Sequence, residues 1–436
     1  MRILHYFLGF PPYRTGGLTK YALDLMKSQA FDGHEVMALW PGEIKNYSGK
    51  PRIKRREPIR TIANFEMINP LPVPLDEGIN EFFAYTRSCD IDVFISFLKK
   101  ESPNVIHIHT LMGLYKEFVE AANLLTIRTV TTSHDYFGLC PKVTFYRQGE
   151  CCDDDENCRK CVQCNMTSLS LKKIQLMQSP LYRRMKDMYV VKKIRQQHRR
   201  HFFYGDDLQE TSNIDIPVLA EKYQKLRKYY VDIYEKIDFI HFNSTLAEKI
   251  YKRYVIPKDS AVISITHEGI ECHEIKRKVE RNKKVILYLA PTKPFKGWNV
   301  IKEACDQLWE EGTKIELRVY DIVDKVEPYM VVKEKGFLPE ELGQIMSEAD
   351  MLVAPSIWYE TFGFTVLEAL SYGVPVIVSN HVGAKDIVGT SGIVVEAGNV
   401  EELKYAIRQF DARMMSVDAT IKNWRQFLDE NYSIYW

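Results

Sequence analysis

Two carboxylates with a fixed spacing stand out in the last third of the chain. Glu360 and Glu368 have seven residues between them, in a segment whose pattern predicts a loop, a helix, a stop and a strand. Gly363 lies where the helix should begin, Gly373 fits the left-handed position after its end, and Pro375 prevents its continuation. One carboxylate precedes the helix and the other lies inside it. We therefore expect them to bind different groups of one ligand.

The expected start of this helix is also suited to an anion. Backbone N–H groups in the first turn of a helix lack partners within it, and the helix dipole favours negative charge there. The residues that would supply these donors are Phe362, Gly363, Phe364 and Thr365. Lys296 would add a cation that stabilises a leaving group as it gains charge in a closed cleft.

These residues need a scaffold, and the pattern along the chain predicts an α/β one. The segments RILHYF, EVMALW, NVIHIHT, TVTTSHD, AVISI, KKVILYLA, KIELRVY, MLVAP and VPVIVS are typical of buried strands, and helical stretches separate them. We expect an N-terminal domain over residues 1–258 with an insertion at about 140–236. A second domain would cover 259–420, and a closing helix over 421–436 would pack back toward the first.

Size and charge narrow the function classes. The chain has 436 residues, 45% of them hydrophobic and 27% charged, which suits two large domains. A formal net charge of +1 argues against a surface built as a whole for nucleic acid. No run of about 18 apolar residues is present, and two prolines interrupt the apolar start, which is unlike a secretory signal. We expect a cytoplasmic protein, either free or peripheral on the inner membrane face.

The string ETFGFTVLEALSYGVPVI, with its E-x7-E pattern, resembles the signature of the family 4 retaining glycosyltransferases. The resemblance extends to GFLPEELGQIMSEADMLVAPS, to Gly16 and Gly17, and to the segments VIHIH, SHD, HEGIE and Lys296-Gly297. It implies the GT-B fold, in which two Rossmann-like domains face a cleft, here with a helical, Cys-rich insertion in the first domain. It also implies retaining transfer of a hexose-type sugar from a UDP- or GDP-linked donor to a glycan or lipid-linked glycan, in polysaccharide or cell-surface glycan synthesis.

The resemblance also assigns roles to individual residues. Glu368 would bind the ribose hydroxyls, Glu360 would contact the transferred sugar, and Lys296 would clamp the diphosphate. His134, in SHD, would line the sugar site near the anomeric centre. His134, Glu360 and Lys296 are thus the expected catalytic residues. The donor-binding set adds Gly16, Gly17, Lys293, Phe337, Phe362, Gly363, Phe364, Thr365 and Glu368, with backbone groups near Phe337 contacting the base.

Two positions depart from the family pattern. Pro291 occupies the place where the family usually has a second diphosphate-binding arginine, and Lys293 is the candidate to replace that charge. Glu268 stands where the family usually has asparagine. The resemblance implies no catalytic metal, because lysine and helix amides take the place of a divalent cation.

A cluster of cysteines forms a separate candidate site. Cys140, Cys151, Cys152, Cys158, Cys161 and Cys164 fall within 25 positions, and the last three have metal-ligand spacing. Four of these thiolates would hold a structural zinc that folds a polar loop. An iron–sulfur cluster and disulfides are the alternatives.

The segment from about 166 to 236 is expected to form long helices rich in lysine and arginine. A solvated helical face or contact with an anionic membrane surface would explain it, and we expect no nucleic-acid partner. Two rival functions remain: an epimerase or phosphorylase of the same fold, and a zinc-stapled nucleic-acid-binding protein. The second of these would be indifferent to Glu360 and Glu368.

Overall fold

The computed structural model describes residues 1–45, 49–186, 188, 191, 215–271, 282–410 and 421–436. Two largely parallel sheets, each flanked by helices, dominate the structure. The helices are α1 (Gly17–Phe31), α2 (Phe82–Thr86), α3 (Asp92–Glu101), α4 (Lys116–Leu124), α5 (Arg159–Asn165), α6 (Leu171–Met177), α7 (Pro180–Met185), α8 (Ile216–Tyr234), α9 (Thr245–Tyr251), α10 (Trp298–Glu310), α11 (Leu342–Ser347), α12 (Phe364–Ser371), α13 (Val400–Gln409) and α14 (Trp424–Ser433). Across these described ranges, no helix is both long enough and apolar enough to cross a bilayer.

The first sheet has eight strands in the order β10-β9-β6-β5-β1-β2-β4-β3. These are β1 (Arg2–Tyr6), β2 (Glu35–Pro41), β3 (Arg52–Ile59), β4 (Ile62–Ile68), β5 (Val105–Ile108), β6 (Arg128–Thr132), β9 (Phe239–Phe242) and β10 (Ser260–Val262). All pairs are parallel except β3 with β4 at one edge. The strand order reverses between β1 and β5, where ligands bind beyond the carboxyl ends of the strands in such sheets.

The second sheet repeats this plan with six parallel strands in the order β13-β12-β11-β14-β15-β16. They are β11 (Lys284–Tyr288), β12 (Ile315–Val319), β13 (Met330–Val332), β14 (Met351–Ala354), β15 (Val376–Ser379) and β16 (Gly392–Val395). The central strands are near-continuous runs of apolar residues and are buried on both faces, as expected for a parallel sheet covered by helices. The reversal lies between β11 and β14, so the loops after these two strands are placed to bind a ligand.

One expected domain boundary is wrong. The sequence predicts that the AVISI strand opens a second domain starting at 259, but β10 pairs with β9 in the first sheet, Ala261 opposite His241. The first sheet therefore extends through Val262. A short apolar strand fits the edge of either sheet equally well, and its local pattern does not say which sheet it joins.

Over the described residues of the insertion, the expected long helices are only partly present. A two-stranded hairpin, β7 (Tyr146–Arg147) and β8 (Glu150–Cys151), precedes the short helices α5 to α7, and among these described elements α8 alone is long. Ser179 caps α7 and Pro180 occupies its first turn, which separates it from α6. Arg183 contacts the fully buried Glu66 at 2.9 Å, so this basic residue packs onto the first domain. The basic residues Lys192, Lys193, Arg195, Arg199 and Arg200 lie outside the described residues.

The C-terminal helix α14 packs against the first domain. Trp424 Nε1 donates to Ser28 Oγ at 2.7 Å, and Arg425 pairs with Asp32 at 2.8 Å. Both partners lie at the end of α1. These contacts join α14 to the first domain.

Candidate active site

An ion pair lies at the strand-order reversal of the second sheet. Lys296, in a short 3-10 turn after β11, has its Nζ 2.7 Å from Glu360 Oε1 in the loop after β14. Ser356 Oγ donates to the other carboxylate oxygen at 2.6 Å. Both charged side chains are partly exposed, at 16% and 19%. A cation and a carboxylate are therefore held side by side where a ligand can reach both.

Backbone contacts fix the two loops that carry this pair. The amides of Ile357 and Trp358 both donate to the carbonyl of Phe295, at 2.9 and 3.1 Å. Gly297 has a φ of +78°, and a Cβ there would lie 1.9 Å from the Pro355 carbonyl oxygen. The residue after Lys296 must therefore be glycine, because only glycine tolerates both this conformation and this approach.

The helix that follows has the predicted limits. α12 begins at Phe364 after Gly363, whose φ is +105°, and Gly373 adopts a φ of +66° after its end. The first turn faces the N-terminal domain, since a Cβ on Gly17 would meet the Phe364 ring at 3.2 Å. The glycine loop after β1 and the first turn of α12 therefore face each other.

Glu368, one helical turn further on, is linked to the first domain through a histidine. His267 Nε2 donates to Glu368 Oε1 at 3.2 Å, and Lys20 Nζ donates to His267 Nδ1 at 2.6 Å. Because Nδ1 also accepts from the Gly269 amide, the imidazole proton lies on Nε2. A lysine on α1 thus supports a carboxylate on α12. Sequence reasoning missed Lys20 and His267; the HEGIE segment was the only signal for the second.

His134 follows β6 at the edge of the site. Its carbonyl accepts from Thr361 Oγ1 at 3.1 Å, which ties it to the residue after Glu360. Its Nε2 lies 3.4 Å from His109 Nδ1, and Tyr21 packs against its ring. Burial lowers the pKa of His134 to about 3, so the ring is neutral at ordinary pH.

A chain of hydrogen bonds between buried side chains continues from His134 into the first domain. Burial lowers the pKa of every histidine in it, to about 4 for His5 and His241. In order, the contacts are His134 to His109, His109 to His5 at 3.0 Å, His5 to Gln29 at 2.7 Å, Gln29 to Tyr435 at 2.9 Å, Tyr435 to His107 at 2.7 Å, His107 to Thr132 at 2.7 Å, Thr132 to His241 at 3.0 Å, and His241 to the Ile263 carbonyl at 2.7 Å.

The end of this chain determines the tautomers along it. The Ile263 carbonyl can only accept, so His241 carries its proton on Nε2 and accepts from Thr132 at Nδ1. A neutral imidazole donates from one nitrogen and accepts at the other. When each contact of the chain is assigned in turn from His241, His134 carries its proton on Nε2 and has a lone pair on Nδ1. His5, His107 and His109 come close enough to suggest a metal site. Both nitrogens of each ring already have hydrogen-bond partners, so the network accounts for the cluster without an ion.

The remaining sequence-predicted donor residues lie in loops of both domains. Lys293 begins the turn that ends at Lys296 and pairs with Asp76 of the first domain at 3.8 Å. Phe337 packs edge-on against Tyr320, 5.3 Å between ring centres, beyond the end of β12. Gly16 precedes α1 with a φ of +117°. Thr292, beside Pro291, is held by Asp321, whose carboxylate accepts from its amide at 2.9 Å.

The six clustered cysteines divide into two groups. Cys140, Cys152, Cys161 and Cys164 line one small cavity, and Cys158 lies beside Cys161 and Asp155 with their ligand atoms within 4.8 Å of one another. Cys151 points the other way. Its thiol donates to the Ile357 carbonyl of the second domain at 3.0 Å.

The chain is similar in sequence to known glycosyltransferases. Residues 272–425 match the family described as glycosyl transferases group 1. The chain is 37% identical over 79 residues to the O-antigen chain mannosyltransferase B of Escherichia coli, which is 18% of this chain and 20% of that protein. The chain covers less than two thirds of the length of the curated relatives it matches.

Solved structures resemble the whole chain. Sucrose-phosphate synthase from Thermosynechococcus elongatus aligns with a TM-score of 0.59 at 15% identity, covering 100% of this chain and 98% of that one. Anabaena HepE in complex with UDP aligns with a TM-score of 0.52 at 12% identity, over 94% and 89% of the two chains. At these identities the likeness shows the fold. The expected GT-B arrangement of two Rossmann-like domains is confirmed.

Proposed function

We propose that this chain is a group 1 glycosyl transferase, as the match of residues 272–425 indicates, and that it moves a hexose-type sugar from a nucleotide-diphosphate donor to a glycan or lipid-linked glycan. The observation that carries this proposal is the ion pair of Lys296 and Glu360 at the start of a helix that also bears Glu368. In this proposal Lys296 binds the diphosphate, Glu360 binds the sugar and Glu368 binds the ribose. The three side chains are held on rigid loops and one helix.

In this proposal the diphosphate binds between Lys296, the first-turn amides of α12 and the glycine loop at Gly16 and Gly17. Transfer places negative charge on the leaving phosphate, and a fixed lysine with oriented amides stabilises that charge without a divalent cation. Lys293 supplies a second cation next to Lys296. UDP is the favoured nucleotide because HepE, which shares the fold, was solved with UDP; GDP is the alternative.

The sugar lies between Glu360 and His134. Glu360 accepts hydrogen bonds from sugar hydroxyls, and His134 accepts one at Nδ1, since its proton is held on Nε2. The acceptor enters from the N-terminal side, and transfer occurs with retention of the anomeric configuration. The leaving phosphate oxygen takes the acceptor proton, so no separate protein base is needed. The O-antigen enzyme among the relatives supports a role in polysaccharide synthesis.

The test is thermal unfolding with UDP, GDP, ADP and their common sugar conjugates. A ligand at 100 times its dissociation constant adds about 2.7 kcal/mol to the stability of the native state. We expect one nucleotide to raise the midpoint, and both Lys296→Ala and Glu368→Ala to reduce that shift. Lys302→Ala is the matched control, because Lys302 pairs with Asp306 on α10, away from the site.

A folded protein whose midpoint no nucleotide changes would contradict the donor site. Where a nucleotide does bind, product analysis separates transfer from same-fold chemistry. An epimerase would convert the sugar while it stays on the nucleotide, and a phosphorylase would need inorganic phosphate. Tight, salt-dependent nucleic-acid binding that ignores Glu360 and Glu368 would favour the binding protein instead.

A further inference from the structure

Four of the clustered cysteines line one cavity. Cys140, Cys152, Cys161 and Cys164 line a cavity of about 20 Å³, which has room for one water-sized ion. Cys161 and Cys164 are three residues apart on α5, so their side chains share a face of the helix. Cys140 follows the loop after β6, and Cys152 follows the hairpin strand β8. Three separate chain segments thus contribute thiols to the lining of one cavity.

The surroundings of this cavity are positively charged. Its lining includes the cations Lys142, Arg147, Lys160 and Arg227. Arg227 Nη2 lies 3.7 Å from Cys161 Sγ and 2.5 Å from Asp155. A zinc ion held by four thiolates carries a net charge of −2, which these cations would offset in a partly buried site.

We infer that Cys140, Cys152, Cys161 and Cys164 bind one structural zinc ion. Each ligating thiol releases its proton to solvent, and the ion replaces four protons. The inference is independent of the proposed transferase activity, because it rests on the cysteine geometry alone. Cys151 is excluded as a ligand: successive residues of a strand point to opposite sides, and its thiol faces the second domain.

The hairpin connects the proposed zinc site to the candidate active site. Immediately after Cys152, Asp153 accepts hydrogen bonds from Tyr359 OH and from Arg253 Nη1. Tyr359 directly precedes Glu360. By fixing Cys152, the zinc would hold the Cys151–Asp153 segment against residues 357–360 of the second domain and keep that loop in place.

Metal analysis of the purified chain tests the inference directly. We expect about one zinc per chain, as a tetrahedral four-cysteine site requires, and cobalt exchange should give intense thiolate-to-metal absorption. Free-thiol titration and mass spectrometry under non-reducing conditions would detect disulfides. Iron with sulfide, disulfides among these four cysteines, or metal-free protein with all thiols reduced would each overturn the inference.

Adjacent cysteines provide the matched variants. Cys152→Ser should lose the zinc, whereas Cys151→Ser and the distant Cys89→Ser should keep about one ion per chain. The opposite result for the adjacent pair would overturn the ligand assignment. If Cys152→Ser fails to fold, chelation of the wild-type protein takes its place. Hydrogen exchange at residues 355–361 should rise when zinc is removed, and unchanged exchange there would overturn the proposed bracing of the loop.

Discussion

Lys296 Nζ lies 2.7 Å from Glu360 Oε1, so the cation proposed for the diphosphate is already paired with the carboxylate proposed for the sugar. A bound diphosphate would share the lysine with Glu360. The two residues are therefore energetically coupled: removal of one side chain changes the contacts that the other can make with the ligand.

Glu360→Gln should separate binding from transfer. Without the carboxylate charge, Lys296 is released to a phosphate, so the nucleoside diphosphate alone should bind at least as tightly as before. Transfer should slow roughly 10- to 100-fold, since hydrogen bonds to a charged group contribute about 1.5–3 kcal/mol. Calorimetry with the nucleotide and initial rates with the sugar conjugate measure the two effects. Weaker nucleotide binding with an unchanged rate would contradict the assignment.

Lys20→Ala should weaken donor binding through Glu368. Lys20 donates to His267, which donates to Glu368, so its loss leaves the histidine without its cationic partner. Lys27→Ala is the control on the same helix, because both lysines pair with Asp24 at similar distances, 3.4 and 3.3 Å. We expect a smaller nucleotide-induced thermal shift for Lys20→Ala and a wild-type shift for Lys27→Ala. Equal shifts in the two variants would mean that the link across the domains does not support the ligand.

Some features of the candidate site could be predicted from the sequence, and others could not. The limits of α12 were predictable, because Gly363, Gly373 and Pro375 are local signals for a helix start and end. The contact between Lys20 and His267 joins residues 247 positions apart, and no local pattern in one sequence records such a pair. The same reason explains the misassigned strand β10. Its residues predicted a strand, but the choice of sheet depended on a neighbour that only the folded chain supplies.

For the cysteine cluster, too, one part of the site was predictable from the sequence and another part was not. The spacing of Cys158, Cys161 and Cys164 predicted a metal site and could not select four ligands from six candidates. The fold separates the adjacent pair: the Cys151 thiol donates to the Ile357 carbonyl, whereas Cys152 lines the cavity. Alternation along a strand would have separated the adjacent pair, but no local pattern predicts that a two-residue strand forms there.

Gly297→Ala should disrupt the loop pair that carries Lys296 and Glu360. A Cβ at this position would lie 1.9 Å from the Pro355 carbonyl oxygen, in a backbone conformation that already disfavours side chains. Gly373→Ala has the same kind of φ, +66°, with no atom within 4 Å of the added carbon. The control should therefore lose only about 1–2 kcal/mol of stability. Urea unfolding should show a clearly larger loss for Gly297→Ala; equal losses would mean that the loop adjusts freely.

Tyr435→Phe should destabilise the packing of the C-terminal segment onto the first domain. Its hydroxyl donates to His107 and accepts from Gln29, and both partners are fully buried. Leaving such groups unsatisfied costs about 1–3 kcal/mol. Tyr432→Phe also removes one hydroxyl, but from a bond to Asp32 that is partly exposed, and should cost less. Unfolding free energies measured at pH 7.5 compare the two, and a larger loss for Tyr432→Phe would show that the buried chain contributes little.

Acid should destabilise the protein through its buried histidines. Burial lowers the pKa of His5 and His241 to about 4 and of His134 to about 3, with His107 and His109 well below 6.5, while the unfolded chain titrates near 6.5. Between these values the unfolded state binds more protons, so stability is full above pH 6.5 and falls as the pH drops toward 4. Asp135 opposes this, because burial raises its pKa to about 6, but it is one group against five.

His241→Gln tests that origin of the acid sensitivity. Glutamine can donate to the Ile263 carbonyl and accept from Thr132, as the neutral imidazole does, but it does not titrate. Below pH 6.5 the variant should lose about 1.4 kcal/mol less per pH unit than the wild type, the contribution of one proton. Urea unfolding at pH 7.5, 6.5, 5.5 and 5.0 measures the slope. A slope identical in the two proteins would show that His241 is already protonated in the native state, which would reverse the tautomers along the chain to His134.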